Sequence, residues 1–141
     1  MKLVLDASVA LLWLVPQTNL DGVDYADTVL MALKDSTAWV PQLFALEVAN
    51  VVAKVEAKGI ATEAESQRFI TLLRQLPITT DSETMEHALA DTLNLARRHK
   101  LSSYDAAYLE LALRTGLPLA TLDVGLTKAA AVMGVPVFRA H

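Results

Sequence analysis

Two rhythms of apolar residues run along the chain. Short continuous apolar or β-branched runs read as strands: "KLVL" (2–5), "TAWVP" (37–41), "ITT" (78–80), "LPLATLD" (117–123) and "VPVF" (135–138). A run such as "KLVL", with no polar alternation, predicts a strand buried on both faces. Between these runs the spacing turns helical, over "ADTVLMALKDS" (26–36), "QLFALEVANVVAKVEAKG" (42–59), "TEAESQRFITLLRQL" (62–76), "SETMEHALADTLNLARRHK" (82–100), "SSYDAAYLELALRTG" (102–116) and "VGLTKAAAVMG" (124–134). Punctuation supports several boundaries. Thr62-x-x-Glu65 is a capping box, Gly59 and Gly116 suit the residue after a helix, and Pro77 follows the fourth segment. Strands alternating with helices predict an α/β fold with a mainly parallel sheet, and right-handed crossovers place helices on both faces.

Composition narrows this picture without changing it. The 141 residues suit one domain spanning 1–141, are 53% hydrophobic and 20% charged, and include no cysteine. A chain of this size buries about 70% of its unfolded surface and needs no disulfide. That suits a reducing, cytoplasmic setting. The apolar start "MKLVLDASVALLWLVP" has the flavour of a signal peptide, but Asp6 interrupts it, so it reads as a strand running into a helix. No apolar run reaches the ~20 residues that span a bilayer. The net charge of −4 leaves any nucleic-acid contact to local basic patches. Arg97, Arg98 and Lys100 form the densest one, which equally suits a helix C-terminus. Lys54, Lys58, Arg68 and Arg74 offer another on the paired middle helices.

Four acids stand in apolar settings. Asp6 ends the first strand and Asp123 ends "LPLATL". The C-terminal ends of parallel strands share one edge, where binding crevices form, so these two are expected on one rim. Asp105 falls in the first turn of its helix, and Glu47 lies within "LFALEVANVV". Each has a plainer reading. Ser102-x-x-Asp105 matches a capping box, Asp6 and Asp123 each suit the N-cap of the next helix, and Glu47 begins a solvent stripe with Asn50, Lys54 and Lys58. If the four converge, another chemistry opens. Packed carboxylates repel one another and must take up protons or bind cations. A hard divalent cation with oxygen ligands resolves the repulsion, and phosphodiester hydrolysis uses such a site.

Four stretches, "LVLDASVALLWL", "ALEVANVV", "LSSYDAAYLELA" and "LATLDVGLTKAA", in this order and spacing, resemble the PIN-domain family across essentially the whole chain. Within it the likeness is to the VapC-type toxin ribonucleases of toxin–antitoxin pairs. The resemblance implies a three-layer α/β/α sandwich with a central parallel sheet. It also implies catalytic and metal-ligating roles for Asp6, Glu47, Asp105 and Asp123, with Mg2+ or Mn2+ as cofactor. Ser8, Asn50 and Thr121 match polar residues that sit beside the site, although Ser8 and Thr121 equally suit caps or turns. Asp105 would both cap its helix and face the metal. The implied partners are an RNA substrate, a small VapB-like antitoxin and a second copy in a homodimer. The implied activity is metal-dependent endoribonucleolysis.

Rival readings remain. A non-catalytic PIN-like module would only bind RNA or protein. An α/β phosphohydrolase of the haloacid-dehalogenase type wants an Asp where Ser8 stands, and receiver domains want adjacent acids that "LDAS" lacks. Trp13 and Trp39 are expected in the core, with Trp13 alternatively receiving an antitoxin segment. His87 is expected on a helix surface, and His99 and His141 lack ligand spacing.

Overall fold

A computed structural model describes residues 2–139. The sheet is wholly parallel, in the order β3-β2-β1-β4, with β1 at Lys2–Leu5, β2 at Thr37–Val40, β3 at Ile78–Thr80 and β4 at Leu119–Ala120. Leu3, Val4 and Leu5 are fully buried, as their unbroken apolar run predicts. Helices cover both faces of the sheet, completing a three-layer α/β/α sandwich: α1 (Ala7–Ala10), α2 (Val23–Ala32), α3 (Phe44–Ala57), α4 (Glu63–Gln75), α5 (Thr84–His87), α6 (Leu93–His99), α7 (Ser103–Thr115) and α8 (Val124–Val132). Helix α7 packs against both β1 and β4. Its residues 106–112 are all buried, so it is a core helix rather than an amphipathic surface one.

Local chemistry explains most boundaries. The Thr62–Glu65 capping box is reciprocal, at 2.9 and 3.1 Å, and opens α4. Gly116 takes the left-handed conformation (φ 70°) and closes α7. Gly22 is required by space: a β-carbon there would meet Leu122 at 2.8 Å, beside the segment that carries Asp123.

Several expectations are refined or corrected. The single helix expected over 82–100 runs unbroken from Thr84 to His99, but a wider turn at Ala88–Thr92 lies within it, between α5 and α6. Apolar spacing does not distinguish that turn from the ordinary helical one. The strand expected over 117–123 shrinks to Leu119–Ala120, and "VPVF" contributes a single bridge, Leu119 to Val137. His87 is not a plain surface residue. It is half-buried, with Nδ1 3.5 Å from Asp91 and 3.9 Å from Glu110. Trp13 and Trp39 are partly buried against the core, and the Trp13 indole donates to the Ala26 carbonyl at 2.9 Å. His141 lies outside the described residues.

A buried ion network ties the far end of α7 to β3. Arg114 donates to both oxygens of Asp81 (3.1 and 2.6 Å) and to both oxygens of Glu110 (2.8 and 3.0 Å). Thr84 also donates to Asp81, at 3.1 Å. Burial pushes the Asp81 carboxyl up, but the bonds and charge of Arg114, with the Thr84 hydroxyl, outweigh it and hold the group below its usual value of 3.8. A depressed carboxyl contributes stability that is present above 3.8 and lost as pH falls through the folded-state value. Arg114→Ala, which strands two buried acids, should cost about 3–5 kcal/mol at neutral pH. Urea denaturation of both proteins should show that gap narrowing once the pH drops below the ordinary aspartate range. An unchanged gap would mean that the network is not what Arg114 stabilises.

Candidate active site

The site forms where β1 and β4 end. The Asp6 amide donates to the Ala120 carbonyl at 2.9 Å, which brings the two strand ends together. Asp6 itself is only 4% exposed. Two hydroxyls hold its Oδ2: Ser8 donates at 2.5 Å and Thr121 at 2.8 Å. Each hydroxyl is aimed by a backbone amide that it accepts, Leu122 N–H into Ser8 (3.0 Å) and Asp123 N–H into Thr121 (3.1 Å). A hydroxyl has one proton to give, so accepting an amide fixes where that proton goes. Ser8 and Thr121 therefore act on Asp6 while also ordering the turn after β4.

Asp123 N-caps α8, its Oδ2 accepting the Leu126 amide at 2.8 Å. Its plainer role is thus real. Asp6 also precedes a helix but makes no side-chain cap bond to it. At Asp105 the sequence expectation of a double role fails. The hydroxyl of Ser102 caps α7 by accepting the Asp105 amide at 3.0 Å. The Asp105 carboxylate is not the capping acceptor. Glu47, in the first turn of α3, accepts from the Tyr108 phenol through Oε1 at 2.5 Å. Asn50, one turn further on, is exposed and bonds to none of these acids among the described residues.

Electrostatics joins the four. Burial pushes Asp6 above its usual value and Asp123 adds to the shift, while the Ser8 and Thr121 hydroxyls oppose it. Burial likewise raises Glu47, opposed by the Tyr108 bond and assisted by the charges of Asp6 and Asp105. Burial, then the charges of Asp123 and Asp6, push Asp105 up to about 6. Tyr108, raised far above 10 mainly by its burial, stays a protonated donor. No Lys, Arg or His among the described residues pairs with any of the four acids.

The donor chemistry fits a hard cation: carboxylate oxygens, desolvated, mutually repelling and lacking a basic partner. Asp6, Glu47 and Asp123 each commit one oxygen to the protein, leaving Oδ1, Oε2 and Oδ1 without a protein hydrogen bond among the described residues. The side chains are not drawn up as a finished cage, since no three His, Cys, Asp or Glu among the described residues converge closely enough to hold an ion. Tyr108 is the residue that sequence reasoning missed. Its signal was there, a polar-tipped aromatic three residues after Asp105 on the same helical face.

A parallel α/β/α domain with linked acids at the strand-end rim defines a class, and the comparisons identify it. Residues 3–132 match the family model described as PIN domain, so the chain belongs to the PIN domain family. It is 32% identical over 123 residues to a protein named Ribonuclease VapC3 from Pyrobaculum aerophilum, covering 87% of this chain and 90% of that one. It is 32% identical over 130 residues to a Ribonuclease VapC3 of Mycobacterium tuberculosis, covering 91% and 87%. A crystal structure of PAE2754 from Pyrobaculum aerophilum shares the fold, with a TM-score of 0.62 at 22% identity, over 92% of this chain and 87% of that chain.

Capping and ligation should separate by mutation. Ser102→Ala and Asp123→Ala each remove a cap and should cost about 1 kcal/mol in urea denaturation. Asp105→Asn should be neutral or stabilising at neutral pH, because it removes a carboxylate whose charged form the fold disfavours. A loss as large as that of Ser102→Ala would return the capping role to Asp105.

Proposed function

We propose that the chain is an endoribonuclease that hydrolyses RNA phosphodiester bonds with a divalent cation, Mg2+ or Mn2+, and that it is the toxin of a toxin–antitoxin pair. One observation carries the reading: four electrostatically linked acids stand near the strand-end rim, and each keeps an oxygen without a protein hydrogen bond among the described residues. The names of the VapC3 relatives agree with it. Asp6, Glu47, Asp105 and Asp123 would hold the ion. A bound divalent cation supplies activated water and neutralises charge on the phosphate. The chain's own residues do the positioning. Ser8 and Thr121 lock Asp6, the cap of α8 locks Asp123, and the half-exposed Glu47 and Asp105 complete the set. Asn50 stays a solvent-side neighbour of Glu47.

Substrate contacts have candidates nearby. Arg97, Arg98 and Lys100 are the basic end of α6, just before the Ser102 cap of α7. The intervening Leu101 lies close to Gly125 at the start of α8, while Arg98 lines a groove with Glu110 and Arg114, which leaves Arg97 and Lys100 as the better candidates. Tyr104, 61% exposed beside Asp105, offers an aromatic face for an unpaired base. An apolar groove of about 620 Å³ between α3, α4 and β3, lined by residues such as Val48, Val52 and Leu73, supports a homodimer in which these helices meet. A small VapB-like antitoxin would complete the pair. No described helix is long and apolar enough to cross a membrane, and the proposed work on RNA lies in the cytoplasm.

End-labelled structured RNA incubated with the protein should be cut in Mg2+ or Mn2+ and spared in EDTA. Asp6→Asn should fold normally yet lose more than about 100-fold in cleavage, beyond the range typical of a group that only supports a ligand. Cutting that survives EDTA or Asp6→Asn would sink the assignment. RNA held but never cut, in either metal, would make the chain a binding module instead.

A further inference from the structure

Tyr108 is fully buried on α7, among residues that are otherwise apolar apart from Glu110. A core position asking only for an aromatic ring would be met by Phe. A buried phenol must find an acceptor or carry the cost of desolvation. The acceptor here is Oε1 of Glu47, which lies 61 residues away in sequence, on α3, at 2.5 Å. Glu47 needs such a partner. It is half-exposed, between the exposed Leu46 and Asn50, and a free Glu side chain samples many rotamers at an ordering cost of up to about 2 kcal/mol. Tyr108 also stands one turn from Asp105 on the same face of α7. One rigid core helix therefore carries one acid of the rim and fixes the orientation of a second.

We propose that Tyr108 is a positioning residue: its phenol holds Glu47 by Oε1, in register with Asp105, so that Oε2 is the oxygen presented to the divalent cation. This rests on the metal-site reading above. The arrangement parallels the Ser8–Asp6–Thr121 lock, but reaches across the cleft from a different element. The hydroxyl's contribution lies in orienting a ligand, so it should show in metal affinity rather than in folding.

Mn2+ binding without RNA, followed by the electron paramagnetic resonance signal of free Mn2+, tests this in wild type, Tyr108→Phe, Glu47→Gln, their double variant and Asp6→Asn. Tyr108→Phe should unfold near the wild-type temperature yet bind Mn2+ about tenfold more weakly, the loss typical of removing a partner that orients a ligand. In the Glu47→Gln background it should cost nothing further. Wild-type affinity in Tyr108→Phe, or an equal loss in both backgrounds, overturns the proposal while leaving the metal site standing. Undiminished binding in Asp6→Asn, or no binding by wild type, sinks the metal site itself and Tyr108's role with it. A readout that needs no variant uses 13C-labelled tyrosine. Adding Mg2+ should shift the Tyr108 Cζ resonance as the carboxylate it holds by Oε1 gains the ion on Oε2, and an unmoved resonance overturns the proposal.

Discussion

The burial of one carboxylate, Asp6, sets the terms for everything around it. It closes the central strand of the sheet, where the chain leaves a fully apolar run, and water barely reaches it. Such a group must be hydrogen-bonded or neutralised. The fold answers with two hydroxyls from different segments, each itself aimed by a backbone amide. That requirement fixes where α1 begins and how the chain turns after β4, and so where Asp123 and α8 stand. The hydroxyls lower the cost of the charge without abolishing it, since burial and Asp123 still push Asp6 upward. A buried acid kept partly uncomfortable is one that a cation would relieve.

Helix α7 links this rim to the rest of the molecule. Its first turn bears Asp105, its next the phenol that holds Glu47, and its last turns Glu110 and Arg114, which clamp the end of β3 through Asp81. Seven consecutive buried residues make it rigid, so the acid rim and the ion network are two ends of one strut.

Much of this was legible in the sequence where the signal was local. The apolar run of β1, the alternation of strands and helices and the Thr62 capping box came out as read, as did the rim shared by Asp6 and Asp123. What escaped depends on distant partners or fine geometry. Tyr108 reads as one more apolar position until α3 is laid beside it. Ser102 and Asp105 both fit the cap pattern, and only the direction of one hydrogen bond separates them. Arg114 looks like an ordinary last-turn cation with an i,i+4 partner in Glu110, yet it also meets Asp81 just after β3. The wide turn at Ala88–Thr92 leaves no mark in a pattern of Ala and Leu.

The order of strands carries a consequence in time. β1 lies between β2 and β4, so its last ladder partner is made more than a hundred residues after it. On a ribosome the chain folds as it emerges, and contacts across such a span must wait. Until Thr121 and Asp123 have left the exit tunnel, Asp6 has neither its second hydroxyl nor its neighbouring acid. A growing copy thus carries Asp6 without the groups that hold it in the finished fold, and on the proposed reading it would have no complete acid rim until β4 and the turn after it had emerged.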